Sequence, residues 1–144
     1  MLKKPYHCIN SSVIDDTPVI NISGNLSEIS ESDLQRDLLL VISGFKERKV
    51  LIIDIRNMKG RPGIGSTYYR VRNTPYYNLF KKVAFIDLIE NKDYYSFHET
   101  TALNAGHNIR YFNDRDEARE WLKDGSPCQL SSPTVEDPSF SCDN

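Results

Sequence analysis

The run Val50-Leu51-Ile52-Ile53-Asp54-Ile55 limits what this chain can fold into more than any other stretch. Four consecutive branched apolar residues do not alternate with polar ones, so a strand built from them is covered on both faces. That is the environment of a central strand in a parallel sheet with helices packed against it. Residues 49–55 are therefore read as a buried strand of an α/β domain, and the remaining segments are placed around it.

Upstream, residues 6–14 and 18–23 read as short strands. Asp15-Asp16 forms the turn between them, and Gly24-Asn25 ends the second, which makes a hairpin. A helix is expected over 31–47. Ser30 is its N-cap, with Asp33 three residues on, and Leu34, Leu38, Val41, Ile42 and Phe45 form its apolar stripe. Downstream, Ser66 opens a helix over 66–80 that bends or restarts at Thr74-Pro75. A second buried strand spans Lys82–Ile89. A helix over Asp93–Ala105 ends at Gly106, and a strand covers Asn108–Phe112. Asp114, with Glu117 three residues on, caps a last helix that buries Ala118, Trp121 and Leu122. The order is ββαβαβαβα, a mostly parallel sheet flanked by helices, with a hairpin at its start. From Ser126 the composition changes: three prolines and five serines fall within residues 126–144. The division is one α/β domain over 1–125 and a flexible Pro/Ser-rich tail over 126–144.

At 144 residues, such a domain buries enough apolar surface to fold without disulfides or metal. The three cysteines (Cys8, Cys128, Cys142) are scattered, with Cys8 expected inside the first strand, and no Cys or His spacing fits a zinc site. No metal or other cofactor is expected. No apolar run is long enough to insert into a membrane, and Met1–Tyr6 lacks the apolar stretch of a secretory signal, so a cytoplasmic location is expected.

Charge is distributed unevenly. Between Asp54 and Asp87 there is no acid, but there are seven bases: Arg56, Lys59, Arg61, Arg70, Arg72, Lys81 and Lys82. Within this span lies Gly60-Arg61-Pro62-Gly63-Ile64-Gly65-Ser66-Thr67, leaving the buried strand where an α/β sheet commonly presents its ligands. Its glycines can aim backbone N–H groups at an anion, and the N-terminus of the next helix adds partial positive charge. The candidate binding residues are Lys59, Gly60, Arg61, Gly63, Gly65, Ser66, Thr67, Arg70 and Arg72. Their spacing is neither a Walker A loop nor a dinucleotide fingerprint. A wide turn whose cations are merely solvated would have the same composition. Arginine beside Tyr68, Tyr69, Tyr76 and Tyr77 suits a protein interface. The formal net charge of −2 disfavours nucleic acid. A protein, a small anion or a second copy of the chain are the partner classes left.

The element order and three segments resemble the STAS domains, in particular their SpoIIAA-like branch of anti-sigma-factor antagonists. The segments are the strands Val50–Asp54 and Lys82–Ile86, and Arg110-Tyr111-Phe112-Asn113-Asp114-Arg115-Asp116-Glu117-Ala118-Arg119-Glu120-Trp121-Leu122. The resemblance covers residues 6–124. It implies a regulatory or ligand-binding module with no enzymatic activity of its own. The antagonists carry an Asp-Ser-Ser/Thr-Gly phosphorylation motif after the central strand. Here no Asp precedes a Ser in that loop, so the site does not carry over. Related folds have been compared with lipid-binding Sec14-type domains, which keeps an apolar ligand open.

A small enzyme using Asp54, Asp87 or His98 is the remaining rival. Two carboxylates at neighbouring strand ends can hold a metal or share a proton, although such residues more often cap helices or pair with local cations. No nucleophile elbow is present, and His107 is expected at a solvent-facing turn.

Overall fold

The computed structural model describes residues 7–73 and 79–123. The elements are β1 (Cys8–Ile14), β2 (Thr17–Asn25), α1 (Glu31–Ser43), β3 (Val50–Lys59), α2 (Ile64–Asn73), β4 (Lys82–Ile86), α3 (Lys92–Asn104), β5 (Ile109–Phe112) and α4 (Arg115–Lys123). This is the expected ββαβαβαβα order. The restart at Pro75 and the tail over 126–144 lie outside the described residues.

The five strands lie in sequence order, with β1 antiparallel to β2 and all later neighbours parallel. Each parallel crossover steps to the next strand in the same direction. Crossovers of one hand then place all three connecting helices on one face of the sheet. Accordingly Ile20, Ile22, Leu51, Ile53, Ile55, Val83, Phe85, Ile109 and Tyr111 meet Leu34, Leu38 and Ile42 of α1, Val71 of α2 and Ala102 of α3. Among the described residues, the opposite face has α4 alone, where Ala118 and Leu122 cover Val19, Ile52, Ala84 and Ile86.

Local chemistry sets the element ends. Asp15 and Asp16 both adopt positive φ, giving a two-residue hairpin turn that suits the twist of its strands. Ser30 Oγ accepts from Asp33 N at 3.2 Å, and Asp114 Oδ1 accepts from Asp116 N at 2.8 Å, so both caps form. Gly106 (φ 90°) ends α3: its N–H bonds Leu103 O while His107 N bonds Ala102 O, the paired closure of a Schellman cap.

The boundaries differ from expectation in ways that matter for the site. α1 stops at Ser43, four residues early. β4 stops at Ile86, and Ile89–Asn91 turns as a 3-10 segment. β3 continues past Ile55 to Lys59 as an outer extension paired only with β2. Its register with β2 slips between Asn21 and Ser23, so β3 carries an extra residue, a bulge. The bulge returns Met58 to the helix-covered face with Ile53 and Ile55.

Three side chains also sit differently. Cys8 is exposed on β1. His107 is buried, with Nε2 3.2 Å from Val71 O, so the turn after α3 is packed under α2. Trp121 is half-buried, not core: it lies beside Phe112 with Lys82 Nζ 4.9 Å and Arg110 6.0 Å from its ring, and Lys82 Nζ donates to Trp121 O at 2.7 Å. Denaturant unfolding followed by circular dichroism should therefore rank Ile53→Ala, which is fully buried and should cost about 2–5 kcal/mol, as more destabilising than Trp121→Ala. The reverse order would contradict the placement of α4.

Candidate functional site

The candidate residues separate into two groups. Arg61 turns inward. Its Nε and Nη2 reach Asp87 Oδ2 and Oδ1 at 3.0 and 2.5 Å, Nη1 donates to Met58 O (2.9 Å) and Gly60 O (2.5 Å), and Nη2 donates to Ile55 O (3.0 Å). The Arg61 side chain is 7% exposed and Asp87 is fully buried. The bulge explains this position. An extra residue leaves backbone groups without strand partners, and side chains take them: Ile55 O by Arg61, and Arg56 N by Asp54 Oδ1 at 3.1 Å. Gly60 allows the return, since its φ of 84° is one that residues with a Cβ rarely adopt. Asp87 also accepts from Leu88 N (2.7 Å) and Asn91 Nδ2 (3.0 Å), so its carboxylate organises the β4–α3 connection.

Arg70 is buried as well. Nη1 lies 3.3 Å from Glu31 Oε2 and Nη2 3.4 Å from Tyr94 Oη, while Ser66 Oγ donates to the same Glu31 oxygen at 2.6 Å. α2 begins at Ile64, so Ser66 lies within its first turn and caps nothing. Thr67 is buried, and its Oγ has no partner among the described residues. Gly63 and Gly65 have no positive φ, so the nest of glycine N–H groups reduces to Gly60 alone. An anion-gripping loop with its arginines turned to solvent is not what forms.

The second group faces outward. Lys59 and Arg72 are exposed, Arg72 lying 5.4 Å over the Tyr68 ring. With them stand Ile64 (69% exposed), Tyr68 and Tyr69 (70%) on α2. Leu88 and Ile89 are also exposed. They belong to the loop that Asp87 opens, which the Arg61–Asp87 pair ties to the segment just before α2.

Behind the rim, Arg61, Pro62, Arg70, Tyr94, His98 and Gln35 line a cleft whose floor is Ile22, Leu34, Leu38, Ile55, Met58 and Phe85. Strand order never reverses in this sheet, so there is no switch-point crevice. The cleft opens where β3 outruns β4 beneath α1, α2 and α3. Its cavity is about 50 Å³, room for a few waters and below the roughly 300 Å³ that an enclosed ligand pocket needs. Gln35 Oε1 is buried there without a partner among the described residues. Gln35, Glu31 and Tyr94 are site residues that sequence reasoning leaves out. Only Gln35 gives a signal, since it flanks the apolar stripe between Leu34 and Leu38.

Of the three residues of the enzyme reading, Asp54 and Asp87 take opposite faces of the sheet. Asp54 follows Ile52 on the face covered by α4 and is held by Arg56 (Nη2 to Oδ2, 2.8 Å). Asp87 follows Phe85 on the other face and is held by Arg61. The bond from Asp54 raises the Arg56 pKa, so that guanidinium stays charged. His98 is buried beside Phe85, its Nδ1 sharing a 2.6 Å hydrogen bond with Tyr111 Oη. Burial, reinforced by the charge of Arg70, lowers its pKa to about 3, so the imidazole is neutral. Among the described residues, no three metal-ligating side chains converge, and no helix is long and apolar enough to cross a membrane.

The chain is similar in structure to an uncharacterised protein from the DUF3478 family with a SpoIIAA-like fold, from Shewanella loihica PV-4. The TM-score is 0.54 and the identity 17%, over 85% of this chain and 98% of that one. The fold is thus SpoIIAA-like, as the element order implies, and at this identity the likeness is one of fold alone. No family model and no curated protein matches the sequence.

Two outcomes test the electrostatics. Arg61→Met leaves a buried carboxylate unpaired and should cost about 3–5 kcal/mol, part of which Asp87→Asn in the same chain should restore. For His98, the folded pKa lies below the unfolded value near 6.5. The unfolded chain therefore binds the extra proton, and the stability that neutral His98 contributes falls as pH drops from about 6.5 toward 3. The stability gap between wild type and His98→Asn should accordingly narrow between pH 7 and pH 4. A constant gap would show that the imidazole titrates normally.

Proposed function

We propose that this SpoIIAA-like domain is a non-enzymatic regulatory module of the cytoplasm that docks a protein partner on the α2 rim. The observation that carries this reading is the division of the basic segment. Arg61 and Arg70 are consumed by Asp87 and Glu31, and what remains exposed along α2 is Ile64, Tyr68 and Tyr69, with Arg72 over the Tyr68 ring and Lys59 exposed at the end of β3. Large aromatic and aliphatic side chains rimmed by cations are the composition of protein-interface hot spots, whereas a small-anion site needs charges left unneutralised. The partner surface would be apolar at its centre and acidic at its edge.

The absence of chemistry is part of the same proposal. Its support is that Asp54 and Asp87 lie on opposite faces, each matched by an arginine, and that His98 is buried as a neutral hydrogen-bonding group. An apolar-ligand carrier finds little support in a cleft of this volume.

Reversing Arg61 or Arg70 cannot test docking, because either change also breaks a buried ion pair. Ile64→Asp and Tyr69→Ala are the appropriate variants, since both side chains are mostly in solvent. Each should weaken capture of the protein that wild type recovers from extract by about tenfold or more, with the melting temperature unchanged. Undiminished capture by both would overturn the reading. A melting-temperature rise with phosphate or nucleotide that persists in Tyr69→Ala would favour a small anion instead.

A further inference from the structure

The two edges of the sheet are treated differently. β5 has four residues, carries Arg110, and has its Tyr111 N–H occupied by Glu99 Oε2 at 2.9 Å, so little of it is left to pair. β1 has seven residues, Cys-Ile-Asn-Ser-Ser-Val-Ile, with no charge, no proline and no bulge against β2, and most of it is exposed. Among the described residues it thus has none of the usual protections of an edge strand.

Which backbone groups face out follows from the turn. In a two-residue hairpin the flanking pair, Ile14 and Thr17, exchanges both hydrogen bonds, and alternate pairs repeat the pattern. The N–H and C=O groups of Ile14, Ser12, Asn10 and Cys8 point to β2, and those of Val13, Ser11 and Ile9 point away from the sheet.

We propose that this edge is a self-association surface on which β1 pairs antiparallel with β1 of a second copy about a two-fold axis at Ser11. The pattern of residue types is nearly symmetric about that point, polar Asn10 and Ser12 inside β-branched Ile9 and Val13. Ser11 meets Ser11 and Ile9 meets Val13, three pairs that each exchange both bonds, while Asn10 lies opposite Ser12. Val13 (45% exposed) gains the apolar neighbour Ile9. α1 adds a second apolar element. Asp37 holds His7 at 2.8 Å above the start of β1, and Leu40, three residues on and on the same side of the helix, is 66% exposed beside the edge. The strand is also held in place before pairing. Arg119 and Arg48 grip Asp15 and Asp16 at the turn, and Asp37 grips the other end. The product is one sheet running continuously through both copies, and it leaves the α2 rim free.

Sedimentation velocity of the full chain, from micromolar to millimolar, tests this. Wild type should sediment at twice the chain mass. Ser11→Lys and Ser11→Glu each place like charges face to face on the axis and should raise the dimer dissociation constant at least about tenfold. Their circular dichroism, and their melting at concentrations where wild type is dissociated, should stay close to wild type, because Ser11 is exposed and its backbone bonds do not face β2. Mixing the two variants should restore a heterodimer. A monomeric wild type at every concentration, or one that dimerises only after removal of residues 126–144, overturns the proposal. So does a dimer indifferent to Ser11→Lys, or a mixture that stays monomeric.

Discussion

The Arg61–Asp87 pair is the contact on which the carboxyl end of this sheet depends. Each partner is extracted from water, a cost that a single Coulombic contact rarely offsets. Here the guanidinium is also the hydrogen-bond partner of three carbonyls at the end of β3, and the carboxylate serves two donors in the β4–α3 connection. A bulged strand end, a tight return and the following loop are thereby fixed by one side chain from each. Without Arg61, the Ile55 carbonyl would lose that donor, Asp87 would keep Leu88 N and Asn91 Nδ2 but be a buried charge without its cation, and α2 would lose the anchor at its start.

That anchoring determines what the surface can do. A segment whose cations satisfy the protein itself cannot use them on a ligand. The exposed rim then owes its character to Ile64, Tyr68 and Tyr69, which the same folding event leaves in solvent. His98, Tyr111, Phe85 and Tyr94 form an aromatic layer under the cleft, with ring centroids 5.0–6.4 Å apart, and the neutral imidazole acts there as a packed polar ring.

The element order was legible because periodicity and punctuation agree: an unbroken apolar run for β3, Ser30 and Asp114 as caps, Gly106 as a stop. The direction of each arginine was not. Charge along the chain says how many cations leave the strand, but not which of them the next strand's end will claim. That claim depends on Asp87 lying beside the bulge, and the bulge is a register slip against β2 with no local signature in Arg56-Asn57-Met58. Asp87, the first acid after seven bases, was the available clue. Trp121 was misread for a related reason. The spacing from Ala118 fits an apolar stripe, but among the described residues α4 is the single helix on its face, and Lys82 and Arg110 occupy the flank beside it.

That flank also provides a built-in probe. Trp121 is the sole tryptophan of the chain, and its indole sits partly in water between two cations, across the sheet from α2. Its fluorescence reports on the seam between α4 and β5 and on little else. A ligand seated on the far layer would leave the emission maximum where it is, unless the strands themselves transmit the strain.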